Sequence, residues 1–332
     1  MFFVLGLSIS LAALLVLSSS ASIVSFLLWK LFKTHISRWS STRQVQTLFL
    51  LRTAPVVLGI GGTVFLFAPA YLRYEPRVGH EDVSVKLGML AALSAIGISV
   101  ALIRGLANWR ATRRLTTQWL SHAEPIKLSK MNVPAYQVAH TFPLIAVVGV
   151  FRPRLFIAKQ VVESLTPAEL EAALEHETGH LMAHDNLKRA IVRACRDLAL
   201  VPGGKLLDRA WLEASEAAAD EFAASRDRRF GLDLAAALLK IARMIPPGAR
   251  PAMLAGAFLT NDESDPGVKD RVRYLVRLSD QLHERPVPVA RNSQFSKLIP
   301  IALCLLLFAL TTSMQVLPTV HSVIEHAVYF LD

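Results

Sequence analysis

The sequence predicts an α+β, mostly helical protein in which four membrane-spanning helices carry one soluble domain. Three observations predict it. Four apolar runs are long enough to cross a bilayer, for which about 20 mostly apolar residues suffice. A charged segment, residues 105–297, separates the third run from the fourth. Within that segment, short β-branched runs precede well-capped helical stretches. The 332-residue chain is 53% hydrophobic with a mean hydropathy of +0.40, both high for a soluble protein.

The expected spans are residues 2–29, 53–72, 87–103 and 298–317. The first run has no basic residue ahead of it and exceeds the length of a usual signal-peptide core. It therefore reads as a retained span, although Ala21-Ser22 resembles a small-residue cleavage site. Orientation follows the basic residues of the short loops. The loop after the first span holds Lys30, Lys33, Arg38, Arg43 and Arg52, and Arg104, Arg110, Arg113 and Arg114 follow the third. The intervening loop dilutes Arg73 and Arg77 with Glu75, Glu81 and Asp82. The N-terminus and residues 318–332, a short tail, are thus expected outside, and residues 105–297 inside the cell.

The formal net charge of +10 is read as this topology signal. A nucleic-acid partner is not expected, because no basic face interleaved with aromatics accompanies the charge. Cys195 and Cys304 are too few for a zinc cage and are expected as buried, reduced thiols.

In the soluble domain, Val147–Phe151 and Leu155–Ile157 read as strands parted by a turn at Arg152-Pro153-Arg154. A helix then opens on Thr166, with Pro167 at its first position and Glu169 completing a capping box. It is expected to run to about His184. Further helices are expected at about 205–225, 232–245 and 268–282, with a linker at 284–297.

The first of these helices carries His176-Glu177-Thr178-Gly179-His180. Histidines four apart share one helix face, close enough to hold one metal ion. Glu177 lies beside the first and is placed to act as general base toward a water activated there. A catalytic zinc site has three protein ligands and an open position. His184 is a poor third ligand, because eight residues of straight helix put it about 12 Å from His176. Glu216 is the better one, in Glu216-Ala217-Ala218-Ala219-Asp220. Asp220 shares its helix face and suits a hydrogen bond from the distal nitrogen of a ligand histidine, His176 being the natural partner. Glu213 is the runner-up ligand.

This pattern resembles the gluzincin metallopeptidases. Within them the chain is similar to the M56 family of membrane peptidases, the BlaR1/MecR1 type, and more distantly to the M48 family of HtpX and Ste24-type proteases. Gly149 through Ile157, Asp185-Asn186-Leu187, which resembles the close of the zinc helix, and Arg271-Val272-Arg273-Tyr274-Leu275 add to the resemblance. The short, charged stretch between His180 and Glu216 leaves no room for a span, which favours M56 over M48. Residues 318–332 do not resemble the C-terminal penicillin-binding sensor domain of that type, so direct β-lactam sensing by these residues is not expected.

The resemblance implies a zinc endopeptidase domain on the cytoplasmic side of a bacterial inner membrane, with one Zn²⁺ per chain. His176, His180 and Glu216 would be the ligands, Glu177 the catalytic base and Asp220 the support behind a ligand. Arg271 would support an oxyanion or hold the site together. Expected partners are the lipid bilayer, a separate sensor protein and a protein substrate, such as a regulator near the membrane or the protease itself. The substrate is expected to lie extended along an edge strand near Ala146–Val150. Competing readings are an HtpX-like quality-control protease, an intramembrane protease and a catalytically silent scaffold. Nothing in the sequence speaks to oligomeric state.

Overall fold

The computed structural model describes residues 2–77, 83–128, 131–199, 203–227, 229–245, 267–284 and 316–331. Its long helices are α1 (Phe2–Ile36), α2 (Ser41–Gly62) and α4 (Val85–Leu120). A π-helical turn at Thr63–Phe67 continues α2 into α3 (Ala68–Tyr74), so Ser41–Tyr74 forms one rod. These three rods are long and apolar enough to cross a membrane. Each outruns its apolar segment. A helix has no reason to stop where lipid stops, and α4 continues through Arg104 to Leu120 as a polar extension.

The fourth expected span, 298–317, lies almost wholly outside the described residues, as do Cys304 and most of the 284–297 linker. The expected tail is instead helical. The last helix, α11 (Val316–Leu331), packs Leu317 and Ile324 against Leu5, Tyr71 and Leu87 of the membrane rods. Its apolar residues recur at helical spacing and find a groove to fill, which a free tail would not.

The soluble part opens with four short strands: β1 (Ala123–Ile126), β2 (Ala135–Val138), β3 (Ile145–Val148) and β4 (Arg154–Ala158). The sheet order is β1-β2-β4-β3, with β2 parallel to β4 and the other pairs antiparallel. The β3 run ends at Val148, earlier than its apolar sequence suggests, because Gly149 turns the chain. Gly149 has φ 107°, and a Cβ there would sit 2.8 Å from the Arg152 carbonyl oxygen, so only glycine makes this turn without strain. Arg154 belongs to β4 and not to the turn.

After α5 (Lys159–Ser164) comes α6 (Pro167–Ala183). Its capping box is complete: Glu169 N–H donates to Thr166 Oγ1 at 3.3 Å, and Thr166 N–H donates to Glu169 Oε2 at 2.8 Å. His184 closes the helix in the left-handed region at φ 56°. Asp185-Asn186-Leu187 therefore does not close α6 but opens a new helix, α7 (Asp185–Leu198). The chain continues through α8 (Gly204–Arg226), α9 (Phe230–Met244) and α10 (Val268–Glu284).

β4 is buried on both faces, and its Leu155, Phe156 and Ile157 join Ala172 and Ala173 of α6 and Leu234 and Leu238 of α9 in the main core. A second core joins the two parts of the molecule. Val45 and Leu48 of α2 pack on Leu207 and Trp211 of α8. Within it, Arg52 of α2 is buried and donates from Nε to Asp208 Oδ1 at 2.6 Å. Cys195 is buried nearby as a free thiol, and burial pushes its pKa up to about 11.

Candidate metal centre

The site forms where α6 and α8 cross. Their contact is close because Gly179 has no side chain. A Cβ there would lie 3.2 Å from the Ala219 Cα and 3.2 Å from Phe222 Cδ1. Gly179 and the alanines of α8 thus let the backbones approach far enough for short acidic side chains to meet the histidines.

His176 is fully buried, and its Nε2 stands 3.2 Å from Nε2 of His180, with the rings nearly perpendicular at 87°. Glu216 reaches in from α8. Its Oε2 is 3.7 Å from His176 Nε2, and its Oε1 is 3.6 Å from His180 Nε2. One donor atom from each residue falls within 4.8 Å of the others, so the group can hold a metal ion. A tetrahedral ion with ligand bonds of 2.0–2.1 Å sets its donors about 3.4 Å apart, close to the spacings found. Glu216 Oε2 is buried and accepts no hydrogen bond of good geometry among the described residues, its charge being met by Arg271 Nη1 at 3.3 Å. Donor types and spacing fit a divalent cation.

The outer nitrogens are held as well. His176 Nδ1 lies 2.9 Å from Asp220 Oδ1, off the line of an ideal hydrogen bond. His180 Nδ1 lies 2.8 Å from Asp185 Oδ2, which also accepts from Ser215 Oγ at 2.8 Å. A carboxylate at Nδ1 keeps the proton there and leaves Nε2 bare to bind a cation. The sequence alone does not mark Asp185 as a site residue. Its position becomes legible only once His184 breaks the helix and returns the chain beneath His180.

Arg271 lies behind the cluster, not in the opening. It is buried, donates from Nε and Nη2 to Asp220 at 3.1 and 2.6 Å, and its Nη1 is 3.3 Å from Glu216 Oε2. Of the two roles expected for it, this geometry suits holding the site together. Neither Glu213 nor His184 reaches the cluster. Glu213 is exposed and pairs with Arg209 at 2.8 Å. His184 is exposed, with Nδ1 3.2 Å from the Met182 carbonyl oxygen.

Burial and charge work against each other here. Burial alone would raise the Glu216 carboxyl, but charged His180, hydrogen bonds from both histidines and Arg271 hold it well below its usual value. Burial likewise disfavours charged His180, yet Glu216 and Asp185 push its pKa up to about 10. The metal-free pocket is thus tuned for positive charge. Glu177 behaves oppositely: burial raises its pKa above the usual carboxylate value. Its Oε2 accepts from Val147 N–H at 3.2 Å.

That contact lies on the edge of β3 that no other strand pairs with among the described residues. Leu144, Ala146 and Val148 face β4, so the backbone groups of Ile145, Val147 and Gly149 point outward. Asn186 Nδ2 donates to the outward carbonyls of Val147 and Gly149, each at 3.0 Å. A cavity of about 400 Å³ opens between this edge and the cluster, with Phe151, Leu181 and Leu187 among its walls.

Comparison of the chain with models of known protein families and with curated proteins finds no match. The class that fold and site define is a mostly helical protein with, among the described residues, three helices long and apolar enough to cross a membrane and a buried His-His-Glu group able to hold a metal ion. The M56 resemblance rests on the residues quoted above.

Proposed function

We propose that this chain is a membrane-anchored, zinc-dependent endopeptidase acting on a protein segment beside the cytoplasmic face of a bacterial inner membrane. One observation carries the reading. Two Nε2 atoms 3.2 Å apart and a buried glutamate converge at a cavity that Glu177 also lines.

His176, His180 and Glu216 would hold the zinc. Bound there, the ion supplies Lewis acidity toward water and a peptide carbonyl. The chain's own groups do the rest. Asp220 and Asp185 fix the histidine tautomers. The Val147 N–H holds one oxygen of Glu177, leaving the other to take a proton from water and return it to the departing amine. A base with a pKa raised by burial takes that proton from water more readily than an ordinary carboxylate. A substrate in extended form would pair with the outward groups of β3 by exchanging its own amides for that of Asn186. An intramembrane site is disfavoured, because α6 carries Glu169, Glu171 and Glu175 and is not among the helices apolar enough to cross a membrane. A distinct sensor protein and a regulatory substrate follow from the family resemblance alone.

The test compares the full-length protein with Glu177→Gln. The variant should keep its zinc by elemental analysis and lose cleavage by about 10²–10⁴-fold, the usual worth of a general base. Fragments absent from the variant would reveal the substrate by proteomics. If every cleavage product persists in Glu177→Gln, the peptidase reading fails and a silent scaffold takes its place.

A further inference from the structure

The polar extension of α4 carries a feature that the metal centre does not use. Trp109, Arg110, Arg113, Arg114, Thr117 and Gln118 line a shallow hollow of about 500 Å³ on its surface. Arg113 lies over the Trp109 ring, 5.8 Å from its centroid. Arg110, Arg113 and Arg114 are exposed, and no carboxylate pairs with them among the described residues. Arg104, by contrast, is already neutralised by Asp197 at 2.7 Å.

The hollow continues the lipid-facing side of the helix. At 3.6 residues per turn, Leu102, Ile103, Leu106, Trp109, Arg110, Arg113 and Arg114 fall within about 140° of arc. Leu102, Ile103 and Leu106 are exposed on the apolar end of that arc, at 68%, 67% and 45%. The stripe therefore passes from hydrocarbon-type side chains through a tryptophan to three arginines. Arg110 is about 10 Å beyond Ile103 along the axis. Helical side chains lean toward the N-terminus, here back toward the apolar end, so the guanidinium groups reach the headgroup layer, about 5–8 Å deep. Tryptophan favours that interface, and arginine binds phosphate oxygens through paired N–H groups.

We infer that this hollow binds the phosphodiester headgroup of an anionic phospholipid, with its acyl chains along Leu102, Ile103 and Leu106. The inference rests on α4 crossing the bilayer and is independent of the metal centre.

Full-length protein in mild detergent would be given phosphatidylglycerol or phosphatidylcholine of matched chains, and retained lipid counted by native mass spectrometry. Wild type should prefer phosphatidylglycerol. Arg110→Gln/Arg113→Gln/Arg114→Gln should weaken that binding on the order of 100-fold at low salt, about fivefold per arginine. It should leave phosphatidylcholine retention and the melting temperature unchanged, since the three side chains are exposed. The triple lysine variant should recover most of the binding, because it keeps the charge. The inference is overturned by equal retention of the two lipids in wild type, by full phosphatidylglycerol binding in the glutamine variant, or by no recovery with lysine. Complete displacement of phosphatidylglycerol by a roughly 10-fold excess of inorganic phosphate, at an ionic strength held constant so that screening does not change, would mark a soluble-anion site and overturn the inference. Loss of both lipids from wild type would remove the membrane premise itself.

Discussion

Replacing Asp220 by asparagine tests the arrangement behind the metal centre. Asp220 is fully buried between two donors: His176 Nδ1 at 2.9 Å from Oδ1, and Arg271 through Nη2 to Oδ1 and Nε to Oδ2. An asparagine has one oxygen and one NH₂ for these places. With its oxygen at Oδ1, the NH₂ opposes the Arg271 Nε–H, originally 3.1 Å from Oδ2. With the groups exchanged, the NH₂ faces Arg271 Nη2 and His176 Nδ1. The imidazole must then move its proton to Nε2, the atom that has to ligate. Either way one charge-assisted hydrogen bond is lost and a buried donor is opposed, for about 3 kcal/mol of stability. Zinc affinity should fall 10–100-fold, as expected for the partner behind a ligand histidine. The assay is a chelator-competition titration of the full-length protein, paired with an unfolding curve of the zinc-free form. Glu213→Gln, exposed beside Arg209, serves as control and should change neither. An Asp220→Asn protein that loses stability yet binds zinc within twofold of wild type (about 0.4 kcal/mol) would refute the tautomer argument.

Four further outcomes follow. Gly179→Ala puts a methyl 3.2 Å from the Ala219 Cα, so overpacking of about 1–3 kcal/mol outweighs the gain of about 1 kcal/mol in helix propensity; weakened zinc binding should accompany it, and unaltered affinity would show that α8 does not need this approach. Arg52→Met removes the 2.6 Å partner of Asp208, whose carboxyl burial already raises, leaving it Arg196 at 3.6 Å, and should cost about 3 kcal/mol in denaturant unfolding. Adding Asp208→Asn should recover part of that loss, and additive losses would show that the two do not interact. Zinc binding should strengthen between pH 6 and 9, because both histidines have raised pKa values and must shed protons to ligate. The sign for the zinc-free form is opposite: the stability that charged His180 lends is complete below its ordinary value and fades as pH rises toward about 10. The melting-temperature gap between zinc-loaded and zinc-free protein should therefore widen with pH, and a constant gap would contradict the assignment. Finally, Asn186→Ala should lower KM several-fold with kcat retained if the substrate strand displaces that side chain; a fall in kcat would show that Asn186 instead holds β3 in place.

Much of the architecture was legible because it rests on local rules. The apolar runs marked three rods, and Thr166, Pro167 and Glu169 marked the start of α6 through groups within one turn of each other. The His176–His180 spacing is likewise local, and Glu216 with Asp220 needed only the inference that two helices cross. The shape of α11 was not legible, because its helicity depends on a groove made by Leu5, Tyr71 and Leu87. Nor was Asp185 legible as the partner of His180, since a non-glycine residue in the left-handed region is decided by surroundings more than by its own preference.

That last residue clarifies how the site is built. A straight α6 would carry Asp185 onward by another turn, away from His180. By breaking at His184, the chain starts α7 with Asp185 tucked under the second histidine and Asn186 turned toward β3. One left-handed residue thus sets both the tautomer of a ligand and the occupancy of the edge strand. His184 itself makes the bend, and the two residues after it reach His180 and the edge of β3.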